Sequence, residues 1–264
     1  MMTEWSIDRV VETLESAEHE RREIGRLTDE WPGLDLATAY TAQAMLIERK
    51  LAGGERRVGT KLGLTSRAKQ QRMGISSPLT GVLTDAMVLS VGAPLAFDEL
   101  IHPRVEPEIA FVMATDLEGP GVTAATASRA VASVHAGLEV IDSRFRDFSF
   151  ALPDVVADNA SSSRFVVSPT GYDPAGLDLV LEACVLRRNG EVVDTATGAA
   201  VQGNPFEALA LAANDLATRG GKILAGEIVL TGGITDAVFV HPGDDVQVSF
   251  TTLNSLTLRV EGTR

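Results

Sequence analysis

Apolar residues recur at helical spacing at the start of the chain. Ile7, Val10, Val11 and Leu14 fall on one stripe, and Ser6 stands where an N-cap hydroxyl is wanted. Pro32-Gly33 interrupts the pattern. Asp35 can cap a second helix with Ala39, Ala42, Met45 and Leu46 facing inward, and Gly53-Gly54 ends it. Residues 1–55 are therefore expected to form a helical N-terminal segment ahead of a β-rich unit over 56–264.

Beyond residue 55 the periods alternate. RRVGTKLGLTS (56–66) reads as a strand and SRAKQQRMG (66–74) as a short helix. RVEPEIAFVM (104–113) is a strand with Ile109, Phe111 and Met113 on one face. TAATASRAVASVHAG (123–137) predicts an Ala-rich helix, followed by a strand over 138–145. Residues 177–198 read as two strands joined by Asn189-Gly190, a strong hairpin signal. Residues 204–221 give the clearest helix, with Asn204 at the N-cap, Pro205 in the first turn and Gly220 past the end. GEIVLTGGIT and DDVQVSFTTLNSLTLRV supply the last strands. Strands without regular βα alternation predict an α+β fold with a mixed or antiparallel sheet. No internal repeat, Rossmann fingerprint or Walker loop is present.

Composition narrows the class. With 264 residues, 45% hydrophobic and 22% charged, the chain matches soluble globular proteins. No apolar run approaches the roughly 18–20 residues of a membrane span. The first residues carry no basic stretch leading into an apolar one, so no secretory signal is expected. A single cysteine, Cys184, rules out an intrachain disulfide and makes the cytoplasm the expected compartment. A net charge of −13 without a basic stripe argues against nucleic acid as a partner.

Two carboxylates stand out. Glu106 and Glu108 share a strand face, where like charges repel. They are either a solvated strand edge or part of an all-oxygen divalent cation site. Glu139, in the apolar run GLEVI, is a candidate third ligand, or else a strand residue facing outward. The histidines do not suggest zinc: no His-x-x-x-His pair exists, and His135 reads as a helix-end residue. Lys61 lies between Gly59 and Gly63, which leave space around its ammonium. It is a pocket lysine or a solvent-facing one. Loose packing there predicts that Lys61→Ala lowers turnover more than stability. DNASSSRF (158–165) and TGGIT (231–235) have loop composition, and the glycines of the second allow backbone amides to approach an anion.

Taken in order, GTKLGLTSRAKQQRMGI, RVEPEIAFVM, GLEVIDSRFRDFSF, VADNASSSRFVV, GNPFEALALAANDLATRG and GEIVLTGGIT resemble the hydratase/decarboxylase family of aromatic meta-cleavage pathways, which has the fumarylacetoacetate-hydrolase-like fold. The resemblance implies a rolled mixed β-sheet with surrounding helices. It also implies Mg²⁺ or Mn²⁺ held by Glu106, Glu108 and Glu139, catalytic Lys61 beside it, and substrate-binding Leu79, Asp158, Ser161 and Thr231. It implies a homo-oligomer, a small 2-oxo dicarboxylic acid as substrate, and association with a pathway hydratase.

Within the family, hydratases carry an aspartate where this chain has Leu79 in SSPLTGVL. An apolar residue there resembles the decarboxylases and implies loss of CO₂ from 2-oxo-3-hexenedioate to give 2-hydroxypenta-2,4-dienoate. The absence of a bulky aromatic in Pro78-Leu79-Thr80 departs from the decarboxylase pattern. Hydration of 2-hydroxypenta-2,4-dienoate is the alternative. A non-catalytic acidic scaffold is a further one. Hydrolysis of a C–C bond is disfavoured, since no His-Glu pair stands near the N-terminal boundary of the roll at residue 56.

Overall fold

The computed structural model describes residues 5–67, 70–71 and 74–263. The helix expected over 66–74 falls partly on residues outside that set.

Helix α1 (Ile7–Glu20) begins at Ser6, whose hydroxyl accepts from the Arg9 amide, and buries Val10, Val11 and Leu14. After a short α2 (Leu27–Glu30), α3 (Leu36–Ala52) starts at Asp35, whose carboxylate accepts the Thr38 amide at 2.8 Å. The buried faces of α1 and α3 share one cluster with Leu79, Phe145 and Val156. Gln43 of α3 donates to the carbonyls of Thr80 and Val156 at 3.0 and 2.9 Å, so this helical layer is bound to the walls of the site described below.

The strands form two sheets. The larger orders β2 (Leu79–Thr84), β1 (Arg57–Gly63), β9 (Ile228–Leu230), β4 (Arg104–Met113), β5 (Val131–Ile141) and β6 (Ser162–Val167), with β10 (Val238–Phe239) also paired to β4. Only β1 and β9 run parallel in it, so the sheet is mixed. The smaller orders β3 (Leu95–Ala96), β12 (Ser255–Glu261), β11 (Asp245–Phe250), β7 (Ala183–Arg188) and β8 (Glu191–Thr197). Asn189 and Gly190 join β7 to β8 with φ of 54° and 84°, the pair of positive angles a tight hairpin needs. Helix α5 (Pro205–Ala217) has Asn204 as its cap, as expected. Ile109, Phe111, Leu186, Leu209 and Val248 lie in the main core between the layers. Among the described residues, no helix is long and apolar enough to cross a membrane.

The helix expected over 123–137 is helical only in its first half. Only Ala124–Arg129 (α4) is helical, capped by Thr123, and β5 begins at Val131. Alanine's helix propensity, worth at most about 0.7 kcal/mol per residue, yields to a ladder in which β5 pairs with β4 along nearly its whole length. His135 is therefore a strand residue, held between the Ser133 hydroxyl at 2.7 Å and the Ser168 carbonyl at 2.9 Å. The first strand expected after 177 starts only at Ala183.

Candidate active site

The β4–β5 register sets Glu106 directly opposite Glu139, and Glu108 follows on the same side of β4. One carboxylate oxygen from each lies within 4.8 Å of one from each of the others. Glu108 and Glu139 are fully buried, and Glu106 is half-buried. Like charges placed directly across a strand pair repel. Burial pushes the Glu108 carboxyl well above the usual range, and Glu139 and Glu106 push it further. The Gly232 amide donates to Glu108 Oε2 at 2.7 Å, while Oε1 is buried with no hydrogen-bond partner among the described residues. The anion approached by the TGGIT glycines is thus a carboxylate of the chain itself. A Cβ on Gly233 would strike the Glu106 carboxylate, so a side chain there would have to displace that ligand.

An oxygen-only cluster with a buried unsatisfied lone pair fits a hard divalent cation such as Mg²⁺ or Mn²⁺. Zinc, which takes nitrogen and sulfur, suits it less.

Lys61, buried on β1, places its Nζ 2.9 Å from Glu139 Oε2 and donates to the Ala160 carbonyl at 3.1 Å. Ser162 donates to Glu139 Oε1 at 3.1 Å. Burial would push the ammonium down, but the pull of Glu139, Glu106 and Glu108 outweighs it and raises the Lys61 pKa. The glycines expected to make room for Lys61 do other work. A Cβ on Gly59 would strike the Ile228 carbonyl of β9, and on Gly63 it would make ordinary contacts of 3.7 and 3.8 Å. Room comes from Gly81, directly opposite Lys61 on β2, where a Cβ would lie 3.0 Å from Lys61 Cγ and 2.9 Å from the Asn159 carbonyl.

The Ala160 carbonyl reaches Lys61 through an unusual turn. Asn159, Ala160 and Ser161 have φ of 50°, 53° and 57°, a left-handed run that side chains disfavour. Asn159 fixes it, accepting from the Val82 amide at 2.8 Å and donating to the Val82 carbonyl at 2.9 Å. Asn159→Ala leaves both groups of Val82 without these partners. It is expected to cost about 2 kcal/mol in denaturant unfolding. A loss below roughly 0.5 kcal/mol, under the net worth of a single hydrogen bond, contradicts this role.

A cavity of about 620 Å³ opens over the triad. Lys61, Leu79, Glu106 and Ser161 line it, and Glu108 and Glu139 lie buried beside it. Two expected substrate contacts do not reach it. Asp158 is fully buried against Arg144, which it ion-pairs while accepting the Ser161 hydroxyl at 3.0 Å; burial pushes its carboxyl up to about 6 against the pull of Arg144. Thr231 is also fully buried, its hydroxyl donating to the Ile109 carbonyl at 2.8 Å. Both hold the loops that carry Ser161 and Gly232. Their polarity in a loop was visible in the sequence; their inward direction was not.

Arg104, Phe148 and Phe150, which no local sequence pattern singles out, also line the cavity. Burial draws the Arg104 guanidinium below its ordinary value, with Glu106 acting the other way. Its one sequence signal was a basic residue two places before Glu106, on the same strand face.

Known proteins share this arrangement's frame. The chain is 42% identical over 250 residues to 4-oxalocrotonate decarboxylase of Pseudomonas sp. (strain CF600), covering 95% of each chain. It is 39% identical over 238 residues to 2-hydroxyhexa-2,4-dienoate hydratase of Comamonas testosteroni, covering 89% of each. The solved 4-oxalocrotonate decarboxylase from Pseudomonas putida G7, complexed with magnesium and adipate, superposes with a TM-score of 0.93 at 40% identity, covering 97% of this chain and 99% of that one. A family model described as fumarylacetoacetate (FAA) hydrolase C-terminal matches residues 60–261. With that match and likeness over nearly its full length, the chain belongs to the fumarylacetoacetate hydrolase C-terminal family.

Proposed function

We propose that the chain is a cation-dependent carboxy-lyase that converts 2-oxo-3-hexenedioate to 2-hydroxypenta-2,4-dienoate and CO₂. The observation that carries this is the convergence of Glu106, Glu108, Glu139 and Lys61 at the floor of a cavity whose wall at position 79 is leucine. The similarity to 4-oxalocrotonate decarboxylases supports it.

The substrate's oxo group is conjugated through its double bond to the carbon bearing the remote carboxylate. When that carboxylate leaves as CO₂, the electron pair of the broken bond moves through the double bond to the oxo oxygen, and one proton completes the enol. Glu106, Glu108 and Glu139 would hold Mg²⁺ or Mn²⁺, which when bound supplies Lewis-acid stabilisation of that oxygen's charge. Lys61 carries its ammonium proton at Nζ, 2.9 Å from Glu139, and is placed to donate toward the same region. Leu79, Phe150 and Val155 give the cavity a dry wall, which disfavours the ionised carboxylate relative to neutral CO₂. Ser161 lines the same space.

Hydration of 2-hydroxypenta-2,4-dienoate is the second reading, favoured by the hydratase relative. Leu79, only 3% exposed, can neither transfer a proton nor orient water. A scaffold role gives no reason for three carboxylates to converge beneath a cavity. Both rates, measured with Mg²⁺ present, decide: we expect rapid loss of the hexenedioate and little hydration of the dienoate. The opposite order contradicts the proposal. Leu79→Asp is expected to slow decarboxylation.

The same proposal includes residues 1–55 as a helical addition to a catalytic unit over 56–264, which the family match beginning at residue 60 supports. It includes a cytoplasmic homo-oligomer that associates with the hydratase consuming its product. Size-exclusion chromatography with and without that hydratase tests the assembly.

A further inference from the structure

Arg104 opens β4, two residues before Glu106, so the two side chains share one side of the strand about 6–7 Å apart along it. Phe239 of β10 is its cross-strand neighbour, and Phe148 comes from the turn after β5. The Arg104 Cζ lies 4.0 Å from the centroid of each ring, and the rings stand at 88° to one another. The guanidinium therefore sits in an aromatic corner that opens into the cavity.

Among the described residues, Lys61 is the other basic residue lining that cavity, and it is engaged by Glu139 and the Ala160 carbonyl. Arg104 has no ion pair or hydrogen bond among the described residues, and its Nε is buried without a partner. Ring faces fix the plane of a guanidinium and strip water from it without consuming its N–H donors. The N–H edges stay available for a planar, doubly accepting group, and a carboxylate matches that fork.

From this we infer that Arg104 binds a carboxylate of the substrate, holding a dianionic acid between its guanidinium and the carboxylate triad. The inference rests on the proposed 2-oxo diacid substrate. Such a six-carbon acid spans about 6 Å between its terminal carbons, from a zigzag of five C–C bonds of roughly 1.5 Å, so one end can lie apart from the other within the cavity. The charge Arg104 holds is already present in the bound substrate. If the held carboxylate stays, its contact is equal before and during reaction; if it leaves, the contact weakens as CO₂ forms. In either case the interaction acts on KM and does not raise kcat.

The test uses Mg²⁺-loaded wild type, R104M, R104Q and R104K, with adipate and pyruvate as calorimetric probes and steady-state kinetics on the hexenedioate. R104M is expected to weaken adipate binding and raise KM by about 10- to 100-fold, with kcat within about threefold of wild type. R104K, which keeps the charge but not the fork, should recover part of the loss. Weakened binding of both probes assigns Arg104 to the carboxylate beside the oxo group. Weakened binding of adipate alone assigns it to the remote one, and either supports the inference. Adipate binding within about twofold of wild type, or a fall in kcat at unchanged KM, overturns it. If R104M does not fold, R104Q is read at the same thresholds. Wild type that binds adipate in an Arg104-dependent way yet releases no CO₂ would overturn the decarboxylase reading and leave the anchor standing.

Discussion

Glu139→Gln is expected to abolish useful Mg²⁺ binding and turnover together. Glu139 is fully buried, faces Glu106 across the strand pair, and is the carboxylate nearest Lys61. A neutral amide removes one of three anionic oxygen donors and also takes the counter-charge from the ammonium. Losing a hydrogen-bond partner of a metal ligand costs about 10–100-fold in affinity or activity, so losing the ligand should exceed that and reach roughly 10³-fold in kcat/KM. Ser162→Ala, which removes only the hydroxyl donating to Glu139 Oε1, should fall within the smaller range. Titration calorimetry with Mg²⁺ checks the binding half. Wild-type affinity in E139Q would mean that the triad does not hold the cation.

Lys61→Met is expected to act on stability as well as on catalysis, and in a cation-dependent way. With no cation bound, Lys61 is a buried positive charge beside three carboxylates. Breaking a buried ion pair from one side costs about 3–5 kcal/mol, because the remaining charge is left uncompensated. K61M without divalent cation should therefore unfold at markedly lower denaturant than wild type. Saturating Mg²⁺ should return much of the difference by binding the folded state. Turnover should stay low with Mg²⁺ present, since the Nζ proton is gone. Equal stability of K61M and wild type without Mg²⁺ contradicts the ion-pair role. The looseness inferred from Gly59 and Gly63 pointed to a stability loss smaller than the loss of turnover; packing against Gly81 and the bond to Ala160 enlarge the stability loss expected.

The contrast between those glycines shows where sequence reading stopped. Glu106 and Glu108 were legible because a period of two puts them on one face whatever the sheet around them. Glu139 stood out as a carboxylate in an apolar run, but only the β4–β5 register brings it opposite Glu106. The helices at 7–20 and 36–52 were legible through their caps and stripes, which are local. The end of strand β5 was legible over 138–141, but its start at 131–137 was not, because the alanines around residue 130 favour a helix locally and the opposing ladder decides otherwise. Asp158 and Thr231 have the composition of contact residues, and their directions follow from a left-handed turn and from a bond to Ile109 that no local pattern encodes. The aromatic corner around Arg104 joins residues 104, 148 and 239, a long-range coincidence of the fold.

The most direct test follows the carbon that leaves. Wild-type protein is given Mg²⁺ and 2-oxo-3-hexenedioate isotopically labelled at the carboxylate remote from the oxo group, and products are resolved by NMR. The account predicts that label appears as CO₂ in step with substrate loss, alongside unlabelled 2-hydroxypenta-2,4-dienoate, and that a chelator stops both. Label retained in a six-carbon product, or release that proceeds unchanged in chelator, would contradict it.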